Sequence, residues 1–116
     1  MSTNLKNVLI TVKEINSTLK VRYDHERLQV LEKNENKDSD ILLSKQDIKK
    51  ILEIISTTDN SKCEINDFIT VDYNCESGLK IEELFYNDED VQEIIDSILV
   101  PYTYLEDFRA ILKGWN

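Results

Sequence analysis

The sequence predicts an α+β fold: an antiparallel sheet of about five strands with two or three helices packed mainly on one face, in the order βββα-ββαα. Apolar residues recur at every second position in several short segments, the pattern of strands with one buried face. Elsewhere they recur at the three-and-four spacing of helices that lay one stripe on a core. A chain of 116 residues supports one such core, so residues 1–116 are read as a single domain.

Val8, Ile10 and Val12 alternate with Leu9, Thr11 and Lys13 and open the chain with a strand. Asn16 and Ser17 supply turn chemistry, after which Leu19, Val21 and Tyr23 alternate with Lys20, Arg22 and Asp24. Leu28 and Val30 resume the alternation beyond the polar turn at Asp24-His25-Glu26 and complete a three-stranded meander. The charged stretch from Lys33 to Asp40 has no apolar period and reads as a surface loop. A helix then starts at Ser44, whose side chain can cap free backbone N–H groups. Asp47 complements the positive helix end, and Ile48, Ile51, Leu52 and Ile55 form the buried stripe.

In the second half, Ile69, Val71 and Tyr73 define one strand, Asn74 to Gly78 a turn, and Leu79 and Ile81 the next strand. Asn87 reads as the cap of a second helix, striped by Val91, Ile94, Ile95 and Ile98 and ended by Pro101. Leu105, Phe108, Ile111, Leu112 and Trp115 mark a third. Side by side, Glu14-Ile15-Asn16 matches Glu64-Ile65-Asn66, Val21 and Tyr23 match Val71 and Tyr73, and Leu28 and Val30 match Leu79 and Ile81. With Asp47 to Ile55 set opposite Asp90 to Ile98, both halves read as a ββα unit. That makes an internal ββα repeat a candidate, although shared patterning alone also produces such matches.

No apolar run reaches the roughly 18 residues that span a bilayer, and the opening Met1 to Lys6 lacks the apolar stretch of a leader, so no membrane role and a cytoplasmic location are expected. Cys63 and Cys75 fit reduced thiols better than a disulfide framework. His25, the only histidine, sits between two acids in a turn, where a solvated imidazole is expected. Two glycines, Gly78 and Gly114, cannot build a phosphate loop or dinucleotide fingerprint. Asp72, Asn74, Glu76, Gly78 and Glu83 approximate a calcium loop. The glycine is one position late, however, and the flanking Phe68 to Val71 favours a strand over an entering helix, so the stretch reads as a hairpin. No catalytic residue, metal or cofactor is expected.

Charge is the sharper signal. Residues 1–58 hold ten Lys or Arg against nine Asp or Glu, whereas residues 59–116 hold four against fourteen, so the net −9 divides as +1 and −10. An acidic second half repels nucleic acid and steers a basic protein toward itself. The candidate contacts are Asp72, Glu76, Glu82, Glu83, Asp88, Glu89, Asp90, Glu93 and Asp96, with Glu89, Glu93 and Asp96 placed along the polar face of the expected second helix. A charged helix face also serves plain solvation.

These features favour a small acidic inhibitor that blocks a basic nucleic-acid-handling protein, the class that includes toxin-immunity proteins and phage anti-defence or anti-CRISPR-like proteins. The alternative is a non-enzymatic adaptor that binds through a sheet edge or the aromatic C-terminal helix, with Tyr102, Tyr104, Phe108 and Trp115. Homodimerisation through a sheet edge stays open.

Overall fold

The computed structural model describes residues 10–57, 59–86, 88–89 and 92–115. The chain forms two antiparallel meanders of four strands, each followed by one helix. The first comprises β1 (Thr11–Glu14), β2 (Leu19–Tyr23), β3 (Arg27–Asn34), β4 (Lys37–Ser44) and α1 (Lys45–Ile55). The second comprises β5 (Ser61–Glu64), β6 (Ile69–Asn74), β7 (Gly78–Tyr86), β8 (Gln92–Pro101), one 3-10 turn at Tyr102–Tyr104 and α2 (Leu105–Trp115).

This architecture corrects the expected single sheet of about five strands in the order βββα-ββαα: the order is ββββα-ββββα over two sheets. Three local differences account for it. The expected loop from Lys33 to Asp40 is the end of the β3–β4 hairpin, with Lys33 opposite Asp38 and Asn34 opposite Lys37. Both faces there carry polar side chains, so the strands leave no apolar alternation to read. In β5, Cys63 is the only apolar residue, which leaves too little pattern to announce a strand. The expected second helix over Ile94 to Ile98 is the strand β8, and Asn87 and Val91, read as its cap and first stripe residue, lie outside the described residues.

β8 imitates a helix because of a bulge. Glu83 stands opposite Asp96 but Leu84 stands opposite Ile94, so Ile95 is an extra residue that breaks the two-residue period. The resulting Ile94, Ile95, Ile98 spacing matches a helical stripe, while the β-branched side chains suit a strand.

The repeat unit is therefore ββββα, and the two copies agree down to hydrogen bonds. In the first hairpin the N–H groups of Ile15 and Asn16 donate to Leu19 O (2.9 and 3.2 Å); in the second, those of Ile65 and Asn66 donate to Ile69 O (2.9 and 3.4 Å). Asn16 Oδ1 accepts from Thr18 N (2.8 Å) as Asn66 Oδ1 does from Phe68 N (2.7 Å). Asp24 Oδ1 accepts from the N–H groups of Glu26 and Arg27, and Asn74 Oδ1 accepts from those of Glu76 and Ser77. Such side-chain to backbone bonds fix tight turns locally. The helices pair as α1 with α2, Ile48 standing for Phe108 and Ile55 for Trp115, and not as the sequence alignment of Asp47 with Asp90 proposed.

Each helix fastens to the other copy's sheet. Ser44 and Asp47 form a reciprocal capping box (Asp47 N to Ser44 Oγ, 3.2 Å; Ser44 N to Asp47 Oδ2, 2.9 Å), and Asp47 Oδ1 also accepts from Asn66 Nδ2 (3.0 Å). Lys50 Nζ donates to Ile65 O (2.8 Å). In return, Trp115 Nε1 donates to Asp24 O (2.6 Å), and its ring packs near Tyr23 and under Lys45 Nζ. α1 has no basic residue in its last turn, and Arg109 of α2 supplies one by donating to Ile55 O. One continuous core results, running from Leu19, Val21 and Ile41 through Ile51 and Ile55 to Val71, Ile98, Phe108 and Leu112. β4 and β8 lie side by side, joined where Asp40 N–H donates to Asp96 Oδ2 (3.1 Å) and Lys37 Nζ to Ser97 O, which leaves β1 and β5 as the outer strands among the described residues.

Candidate protein-binding surface

The second sheet is asymmetric because its strands differ in length. β6 pairs with β7 only as far as Ile69 opposite Glu83, while β7 and β8 continue together to Tyr86 opposite Gln92. Residues Leu84–Tyr86 and Gln92–Ile95 therefore form a two-stranded arm, reaching about 10 Å beyond the ladder with β6 at 3.4 Å per residue. Leu84 N–H donates to Phe68 O (2.7 Å), which ties the base of the arm to the β5–β6 turn, and Gln92 Nε2 donates to Tyr86 Oη (3.1 Å) at its far end.

Burial ends within the arm, just beyond Leu84, which is still buried at its base. Ile98 and Val100 at the inner end of β8 are buried, but Ile94 is 59% and Ile95 57% exposed, Phe85 50% and Phe68 57%. Scattered apolar side chains on a surface carry no message, whereas several large ones gathered on one projecting element mark a contact surface. The bulge interrupts the regular alternation of β8 at Ile95, and Ile94 and Ile95 both stand exposed beside it. Acids frame them: Asp88 and Glu89 lie in the connecting turn, and Glu93 stands directly across from Phe85.

The structure divides the acidic residues singled out in the sequence. Asp88, Glu89 and Glu93 share the arm, and Asp90 lies outside the described residues. Asp72 sits mid-sheet between Lys62 and Lys80, and Glu82, nearly buried, has Lys80 Nζ at 3.8 Å; both acids face local cations. Glu76 occupies the β6–β7 turn, at the opposite end of β7 and roughly 25 Å from the arm by strand rise. Glu83 and Asp96 point toward the junction with β4. The single acidic strip along a helix is thus replaced by separate groups, because β8 is a strand whose neighbours alternate between faces.

Burial holds the Glu83 carboxyl above the usual glutamate range, and the carboxylates of Asp96 and Asp40 push it further the same way. A raised acid favours folding when protonated: its contribution is complete below the ordinary value near 4.5 and is lost as pH rises through the shifted one. Glu83→Gln is accordingly expected to raise the melting temperature at neutral pH, with the gain shrinking to nothing below about pH 4.5; thermal unfolding followed by circular dichroism across pH checks it.

Phe68, Phe85, Tyr86, Ile94 and Ile95 make up the exposed apolar surface; the sequence reading used Phe68 only as the flank of a strand, passed over Phe85 and Tyr86, and put Ile94 and Ile95 in a helix. The signal was present as Leu84-Phe85-Tyr86 and Ile94-Ile95 on either side of a polar turn, a hairpin pattern hidden by the bulge. Phe108 and Trp115 are buried, so the aromatic stripe of α2 serves the core. His25 is exposed beside Glu26 (3.4 Å), and Asp72, Asn74 and Glu76 belong to the β6–β7 hairpin and do not form an ion-binding loop. Among the described residues no three His, Cys, Asp or Glu side chains converge to hold a metal, and no helix is long and apolar enough to cross a membrane.

The chain matches no family model, and no curated protein or solved structure shows a significant similarity to it.

Proposed function

We propose that the protein is a stoichiometric inhibitor that inserts its β7–β8 arm into a basic, nucleic-acid-handling partner. The arm carries this reading: Phe85, Ile94 and Ile95 stand exposed on a projecting hairpin framed by Asp88, Glu89 and Glu93. Apolar side chains that leave water on docking supply affinity, and the acidic frame supplies steering and selects a basic rim. A partner whose groove normally accepts phosphates offers such a rim, as in the targets of immunity and anti-defence proteins, and the setting proposed is the cytoplasm. Asp72, Glu76 and Glu82 lie outside the contact in this reading.

A second reading rests on the open edges. Among the described residues β1 and β5 are the outer strands of their sheets, each of four residues, and an adaptor can seat an extended segment on such an edge, though strands so short give few backbone bonds.

A pull-down from the native host at low and high salt separates the two. Capture of a basic nucleic-acid enzyme is expected to weaken at least tenfold both in Asp88→Lys/Glu89→Lys/Glu93→Lys and in Phe85→Ser/Ile94→Ser, with the folding of each variant verified. Undiminished capture by both variants would move the interface to a sheet edge.

A further inference from the structure

We propose that the outer face of the first sheet holds a site for a carboxylate carried on an apolar body, with Arg22 and Arg27 as its cationic groups. This face is distinct from the β7–β8 arm. An open hollow of about 340 Å³ lies there, lined by the apolar Ile10 and Leu42, by Tyr23, and by Arg22, Gln29, Arg27 and Asp24.

The argument begins with the cross-strand row Val12, Arg22, Gln29, Leu42. In the second copy the equivalent row reads Lys62, Asp72, Lys80, Leu99, where a carboxylate sits between two ammonium groups and the charges offset one another within the sheet. In the first copy a neutral glutamine faces the arginine. Nε (3.0 Å) and Nη2 of Arg22 both donate to Gln29 Oε1, which holds the guanidinium in place without cancelling its charge and leaves the Nη1 donors available. Among the described residues neither Arg22 nor Arg27 has an ion-pair partner within 4.0 Å. A cation oriented by a neutral side chain in a hollow with apolar walls is a preorganised anion receptor.

Charge selects the anion. Two guanidinium groups and the Asp24 carboxylate leave one net positive charge, which a monoanion balances. A phosphomonoester dianion would overshoot it beside Asp24. Asp24 Oδ1 accepts from the N–H groups of Glu26 and Arg27, which holds this carboxylate in the turn, where it offsets part of the Arg27 charge. The apolar walls then require a hydrocarbon body attached to the carboxylate, as in a short aryl or alkyl acid.

The test is an NMR titration of the full chain with 4-phenylbutyrate, its neutral amide and phenyl phosphate, following the Nε–H signals of Arg22 and Arg27. Saturable shifts with the carboxylate, at least tenfold weaker binding in Arg22→Gln, and unchanged binding in Asp88→Lys/Glu89→Lys/Glu93→Lys are expected. Equal binding of the amide, tighter binding of phenyl phosphate, unchanged affinity in Arg22→Gln, or no saturable shift at either arginine would overturn the assignment. Circular dichroism of Arg22→Gln confirms the fold, and Arg27→Gln gives a second loss of affinity that does not depend on the Arg22–Gln29 contact.

Discussion

Gly78→Ala is expected to cost the fold roughly 3 kcal/mol or more, a large fraction of the stability of a small domain. Gly78 opens β7 at φ +122°, a backbone conformation that side-chain-bearing residues rarely adopt. A Cβ placed there would lie 2.1 Å from Val100 O and 2.7 Å from Tyr102 N, both backbone atoms with no freedom to yield. The same point is where β8 hands over to the 3-10 turn, fastened by Tyr102 N–H to Ser77 O (3.1 Å). Strain at residue 78 therefore reaches the docking of α2. Gly114 supplies the internal control: its Cβ would meet nothing within 4 Å in the last turn of a helix, so Gly114→Ala is expected to be neutral or to stabilise by up to about 1 kcal/mol. Urea unfolding of the two variants measures both effects.

Phe108→Ala is expected to lower the unfolding free energy by about 3 to 5 kcal/mol, read from the shift of the urea midpoint at unchanged slope. Phe108 is the largest of the fully buried side chains, in the second turn of the helix that closes over the sheets. Its removal loses apolar transfer and leaves a cavity that well-packed neighbours fill only in part. A loss below about 1.5 kcal/mol would mean that the core relaxes around the gap and that α2 is not the keystone described here.

Legibility in the sequence followed the strength of the periodic signal. α1 and α2 were legible because each carries an uninterrupted stripe, and α1 also carries the Ser44–Asp47 capping pair. β2 and β6 were legible because Leu19, Val21, Ile69 and Val71 alternate cleanly with polar neighbours. β5 was invisible, because a four-residue edge strand with one cysteine facing inward has no pattern to show. β4 was half hidden: Ile41 and Leu43 point into the core, but Leu42 between them is exposed, and the outer end of the strand is charged. The misreading of β8 mattered most. One inserted residue, Ile95, converted a strand pattern into a helical one and drew the acids onto an imagined helix face, while the apolar side chains that share their arm went unnoticed. The uneven charge of the two halves was plain from the sequence; how the carboxylates divide among the arm, the mid-sheet rows and the β4–β8 junction depends on register, which composition does not carry.

The most direct test of the arm as the interface is photocrosslinking in host lysate with benzoylphenylalanine placed at Ile95 on the arm or at Val12 on the outer face of the first sheet, both exposed positions. Covalent capture of a basic nucleic-acid-handling protein from position 95 and not from position 12 is the predicted result. Capture of that protein from position 12 alone would contradict the account and place the partner on the first sheet.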